Sequence, residues 1–205
     1  MNSFKMNILS YFKKLFLVFF LITLSGCTHK IDITPNNDKI INLGYTIEKK
    51  DYNVGYYIEN IDLIIVSEGG GGDKVSYLAY KDTESAFRKV LVKHFNKVFL
   101  INDINNKEFI SEKNINLIFS YKIHTYSTSN SIQVFSPTEF IITLECRAIN
   151  KEGITIWQKT LKGKGSASPD ELKNDLALTG KRATEDVFKK LLYELNTEEL
   201  RKVYK

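Results

Sequence analysis

The chain is short of the residues that most often carry chemistry or cross-links. Of its 205 residues two are cysteine, Cys27 and Cys146, and three are histidine, His29, His94 and His124. No HExxH element and no paired-cysteine spacing occurs, so no zinc ligand set is present and neither a metal nor a cofactor is expected. A GxSxG nucleophile element is missing as well. A catalytic thiol needs a neighbouring base, and nothing near Cys146 supplies one. The chain is therefore read as non-enzymatic. Prolines number three, and no internal repeat of useful length interrupts the sequence.

Long apolar runs are scarce. The longest, residues 15–24 (LFLVFFLITL), would rise only about 15 Å as a helix, roughly half the thickness of a bilayer's hydrocarbon core. Lys5, Lys13 and Lys14 precede it, no acidic residue occurs before Cys27, and Ser25 and Gly26 are the small residues a signal peptidase requires. Leu24-Ser25-Gly26-Cys27 resembles the lipobox of bacterial lipoprotein precursors. The resemblance implies that residues 1–26 are removed as a signal peptide. It also implies that Cys27 receives a diacylglycerol on its thiol and an acyl chain on its amine. One acyl chain binds a membrane reversibly, and two or more anchor stably, so the membrane becomes the first partner. Two alternatives stand beside this reading: an uncleaved spanning helix, and ordinary cleavage that leaves a free Cys27. Thr28 occupies the position where Asp would suggest inner-membrane retention. By analogy with enteric bacteria the outer membrane is expected, with the domain facing the periplasm.

Loss of the leader changes the charge. The full chain carries 29 basic and 24 acidic side chains. Three lysines leave with residues 1–26, so 26 basic residues remain against 24 acidic, a balance of +2. A nucleic-acid partner loses its electrostatic motive. Removing 26 of 205 residues leaves 179, one domain's worth, able to bury roughly 70% of its unfolded surface. With Cys27 acylated, Cys146 has no disulfide partner, and an apolar core must hold the fold.

Residues 27–42 read as the lipidated cysteine and a polar tether around Pro35 and Asn36-Asn37-Asp38, with a possible strand near residues 39–47. Residues 43–205 read as the folded domain. β-branched and aromatic enrichment argues for strands within 52–66 and 74–80, separated by Gly69-Gly70-Gly71-Gly72. Ala86, Phe87, Val90, Leu91, His94 and Phe95 recur at helical spacing, with Asp82 or Thr83 as cap. A short strand is expected at 98–101 and a polar loop over 102–114. Alternation then marks strands with Ile115, Leu117, Phe119, Tyr121 and Ile123 inward, and with Phe140, Ile142, Leu144, Cys146 and Ala148 inward. A third strand, 154–161, follows a tight hairpin at 150–153. Ser168, Pro169 and Glu171 form a capping box for a helix predicted to run to about Asn196, with Gly180 bending it. The expected fold is α+β: a single, mostly antiparallel sheet with two helices packed on one face.

Among candidate sites, Gly69–Gly72 is the most conspicuous. A phosphate loop would place glycines before a helix with Lys and Ser or Thr at fixed spacing. Here Glu68 and Asp73 flank the glycines and a strand follows, so a hairpin tip is the plainer reading and a protein-binding loop the functional one. Trp157, Tyr56, Tyr57 and Tyr77 could form an aromatic binding patch, though core packing suits them better. Glu145 and Arg147 share a strand face and read as solvated.

The lipobox, the antiparallel strands, a Gly-x-x-x-Trp element at Gly153–Trp157 and the capped C-terminal helix together resemble small outer-membrane lipoproteins of the YajG and LptE sort. The resemblance implies a non-enzymatic accessory of outer-membrane or surface-glycolipid assembly that works through protein–protein contacts. A small-ligand or peptidoglycan-binding module is the alternative.

Overall fold

The computed structural model describes residues 27–42 and 46–197, so the expected signal peptide, residues 1–26, lies outside the described residues. The elements in order are β1 (Thr28–Lys30), α1 (Asn37–Ile41), β2 (Lys50–Tyr57), β3 (Ile65–Glu68), β4 (Lys74–Tyr77), α2 (Ala79–His94), β5 (Phe95–Leu100), α3 (Lys107–Glu112), β6 (Ile115–Thr128), β7 (Glu139–Ile149), β8 (Thr155–Ser166), α4 (Pro169–Asn174) and α5 (Leu178–Glu194). The fold is α+β, but the expected single sheet is two: a five-stranded sheet in the order β5-β2-β6-β7-β8 and a three-stranded sheet in the order β1-β4-β3. The large sheet is mixed. β2 runs parallel to both β5 and β6, because helix-bearing connections link these strands and allow a parallel return. β6, β7 and β8 form the antiparallel half, and Asn150–Gly153 closes the expected hairpin.

The inward sets predicted for β6 and β7 are all buried, as are Tyr56 and Trp157, and all but Ile115, which an irregularity at the start of β6 turns to the other side, share one face. Both long helices, α2 and α5, lie on that face as expected. Phe87 of α2 meets Tyr121 at 4.5 Å between ring centroids, and Phe188 of α5 stands edge-on to both. Close approach of α5 to β8 depends on glycine: a Cβ on Gly165 would fall 2.0 Å from the Thr179 carbonyl oxygen. On the opposite face α3, absent from the sequence reading of 102–114, lays Phe109 and Ile110 over a smaller cluster around Ile101, Ile115 and Ile118.

Three helix expectations change. The helix predicted from Ser168 to Asn196 is two helices, broken where Asp175 leaves helical geometry and turns its carboxylate onto the Ala177 amide at 3.1 Å. Gly180 does not bend α5; it admits Ile33, whose Cγ2 lies 2.4 Å from where a glycine Cβ would sit. Asp82 does not cap α2, which begins earlier at Ala79. Its Oδ2 accepts from the Ile33 amide instead, at 3.3 Å.

The segment expected as a tether is part of the body. β1 pairs in parallel with β4, Ile31, Ile33 and Ile40 are buried, and the residues expected as a strand near 39 begin instead as α1, capped by Asn36.

Candidate functional site

The two sequence-predicted features, Cys27 and the tetraglycine, meet at one end of the fold. β1 lays its first residues along β4, so Thr28 is opposite Lys74 and Cys27 comes level with Asp73. The Cys27 amide donates to Asp73 Oδ1 at 2.9 Å, and the Cys27 carbonyl accepts from the Lys74 amide at 2.8 Å. The other Asp73 oxygen, Oδ2, lies 2.9 Å from His29 Nε2, and the His29 ring stacks on Phe135 with 3.8 Å between centroids. The hydrogen bond from His29, and then that from the Cys27 amide, hold the Asp73 carboxyl below its ordinary range. Cys27 itself is exposed. An acylated amine retains one N–H, so lipid modification is compatible with the bond to Asp73.

Gly69–Gly72 joins β3 to β4 as the expected hairpin tip. Gly71 and Gly72 have φ of +66° and +89°, a conformation that costs glycine little and other residues more. The base of the tip is packed. The Gly70 amide donates to the Phe135 carbonyl at 2.7 Å, and a Cβ on Gly70 would sit 2.1 Å from the Val134 carbonyl oxygen. Ser127 Oγ donates to the Glu68 carbonyl, and Tyr77 Oη donates to Thr125 Oγ1 at 2.6 Å, binding the small sheet to the end of β6. Sequence reasoning named Cys27 and the glycines but placed His29 in a tether and gave Asp73 and Phe135 no partner role. The alternation His29, Ile31, Ile33 was the available signal for a strand.

Other candidates are separated from this cluster. Cys146 is fully buried in the core, and burial pushes its thiol well above the usual range, which leaves it un-ionised. Of the suggested aromatic patch, Tyr56, Tyr77 and Trp157 are core residues and Tyr57 is half-buried, so no such patch forms. Glu145 and Arg147 lie on the outer face of the large sheet with Lys122 and Glu59, along a shallow groove; His124 Nε2 is 3.5 Å from Glu145. Among the described residues no group of three or more His, Cys, Asp or Glu is placed to hold a metal ion. No described helix is long and apolar enough to cross a membrane.

The described residues thus define a mixed α+β body of two sheets and five helices, with an exposed cysteine fastened at one end. No family model and no curated protein matches the chain. Solved structures align with the chain at low similarity. The PelC dodecamer from Paraburkholderia phytofirmans aligns with a TM-score of 0.47 at 11% identity, over 75% of this chain and 94% of that one. A Xanthomonas campestris protein of the DUF330 family aligns with a TM-score of 0.48 at 12% identity, over 88% of this chain and 99% of that one. A Caulobacter crescentus protein provisionally described as a lipoprotein aligns with a TM-score of 0.34 at 11% identity, over 66% and 88%.

Proposed function

We propose that the chain is a lipid-anchored protein of the bacterial envelope, non-enzymatic, serving outer-membrane or surface-glycolipid assembly through contact with another envelope protein. The observation that supports it most is the position of Cys27. The exposed cysteine of the lipobox-like sequence is fastened to the body, with Asp73 accepting from its amide and the Lys74 amide donating to its carbonyl. A lipid at that thiol would hold the body directly against the membrane. Signal-peptide removal, attachment at the outer membrane and the partner all belong to this proposal.

In-cell cross-linking followed by purification of the lipidated chain tests the partner. The reading expects one envelope protein recovered at a constant ratio to the bait across expression levels. Recovery of abundant membrane proteins alone, in proportion to their own abundance, would contradict it.

A further inference from the structure

An uncharged stretch lies at one end of the antiparallel half. β7 runs from Glu139 to Ile149, a span on the order of 35 Å. At its Glu139 end lie the 129–138 loop, the tetraglycine tip and Cys27; at its Ile149 end lies the Asn150–Gly153 hairpin. Residues 125–138 (TYSTSNSIQVFSPT) contain no Asp, Glu, Lys or Arg, in a chain that is 26% charged. The glycine tip adds none, and Asp73 is paired with His29. Charged side chains border this stretch rather than lie within it: Glu139 pairs with Lys164 at 3.2 Å, and α4 brings Asp170, Glu171 and Lys173 to the same end.

The 129–138 loop also has an unusual crown. Ile132 is 90% exposed while Val134, two residues on, is buried. The neighbouring amides are already satisfied: Asn130 donates to Thr138 Oγ1 at 3.1 Å, Ser131 to Ser129 Oγ at 3.2 Å and Gln133 to Ser131 Oγ at 3.1 Å. A backbone so satisfied enters a water-poor interface at lower cost than one that relies on solvent. The packing of Gly70 on Val134 and Phe135, and of Phe135 on His29, ties this loop to the segment that carries Cys27.

We propose that this uncharged loop, beside Cys27, is the membrane-contacting segment. Ile132 inserts at the headgroup–acyl boundary as a second attachment beside the Cys27 lipid, and the 150–153 hairpin points away from the bilayer. The inference rests on the reading of Cys27 as lipid-modified. An apolar side chain in the interface adds to a lipid anchor and also fixes the orientation of the body.

The test uses the full chain, expressed with its leader, purified with its lipid and reconstituted into phosphatidylethanolamine–phosphatidylglycerol vesicles. Ile132→Cys and Ile154→Cys are each labelled with a polarity-sensitive fluorophore; Cys27 is blocked by its lipid and Cys146 is buried. Both sites are exposed, Ile154 by 60%, so neither substitution disturbs packing. On vesicle binding the Ile132→Cys probe is expected to shift to the blue and to be quenched by headgroup-proximal spin-labelled lipid, while the Ile154→Cys probe stays as in water. Two probes that behave alike in a protein that floats with the vesicles would overturn the orientation and leave the anchor standing. A protein that does not float would overturn the anchor, and the orientation with it.

Discussion

His94, on the buried face of α2, gives its Nε2–H to the Leu192 carbonyl at 2.8 Å and keeps an unpartnered Nδ1. Burial, with Lys50 and Lys93 adding to it, lowers its pKa from 6.5 to about 3. The folded state therefore refuses a proton that the unfolded chain accepts. Stability from this group is complete above pH 6.5 and is lost as pH falls toward 3, with a slope of up to about 1.4 kcal/mol per pH unit. His94→Gln keeps a donor for Leu192 without titrating, and urea denaturation at a series of pH values should show a flatter acid limb for it than for the wild type. At the cluster, Asp73→Ala removes the acceptor shared by Cys27 and His29. Hydrogen exchange should then accelerate at the amides of Thr28–Lys30 while β6 and β7 keep their protection. Equal protection of β1 in both proteins would mean that the parallel ladder with β4 alone holds it. His94 was legible in the sequence as a member of an apolar stripe. Its carbonyl partner, 98 positions away, was not, because periodicity reports a face and never what covers it.

Among the elements, α4 and α5 show how far local signals reach. Ser168 and Glu171 form both bonds of the predicted capping box, at 3.3 Å and 2.9 Å. Arg182 joins from α5 at 2.7 Å and holds the Glu171 carboxyl down to about 2, so acid below about pH 4.5 progressively weakens this cap. Ser168→Ala should cost about 1 kcal/mol, a drop in Tm of roughly 2–4 °C in calorimetry. Gly165→Ala should cost more, on the order of 3 kcal/mol or failure to fold, because the new methyl meets the backbone of α5 rather than a movable side chain. The cap was readable because Ser168, Pro169 and Glu171 act over three residues. The break at Asp175 depends on bonds that its carboxylate makes to Ala177 and Lys181, and the early start of α2 depends on burying Ala79 and Tyr80. Neither leaves a mark in propensity. The same limit explains the sheets: alternation exposed the inward faces of β6 and β7, but a parallel β2 between β5 and β6 is a matter of long-range connection.

At the scale of the whole molecule, the account turns on one cysteine at the end of the body. Residues 1–26 and Cys27 were read from charge, an apolar stretch and small residues alone. The structure adds that the expected tether is folded, because Ile31 and Ile33 bury in the core and draw Cys27 onto the tetraglycine hairpin. Under the proposed lipidation of Cys27, a body so held would have little freedom relative to its lipid, and orientation at the membrane would be a property of the fold rather than of a linker. The direct test compares the wild type with Cys27→Ala in cells fed radiolabelled palmitate, followed by membrane fractionation. The account predicts a labelled, shortened wild-type chain in the membrane pellet, and an unlabelled Cys27→Ala chain that remains at precursor length. Label incorporated by Cys27→Ala, or a wild-type chain that carries no label, would contradict it.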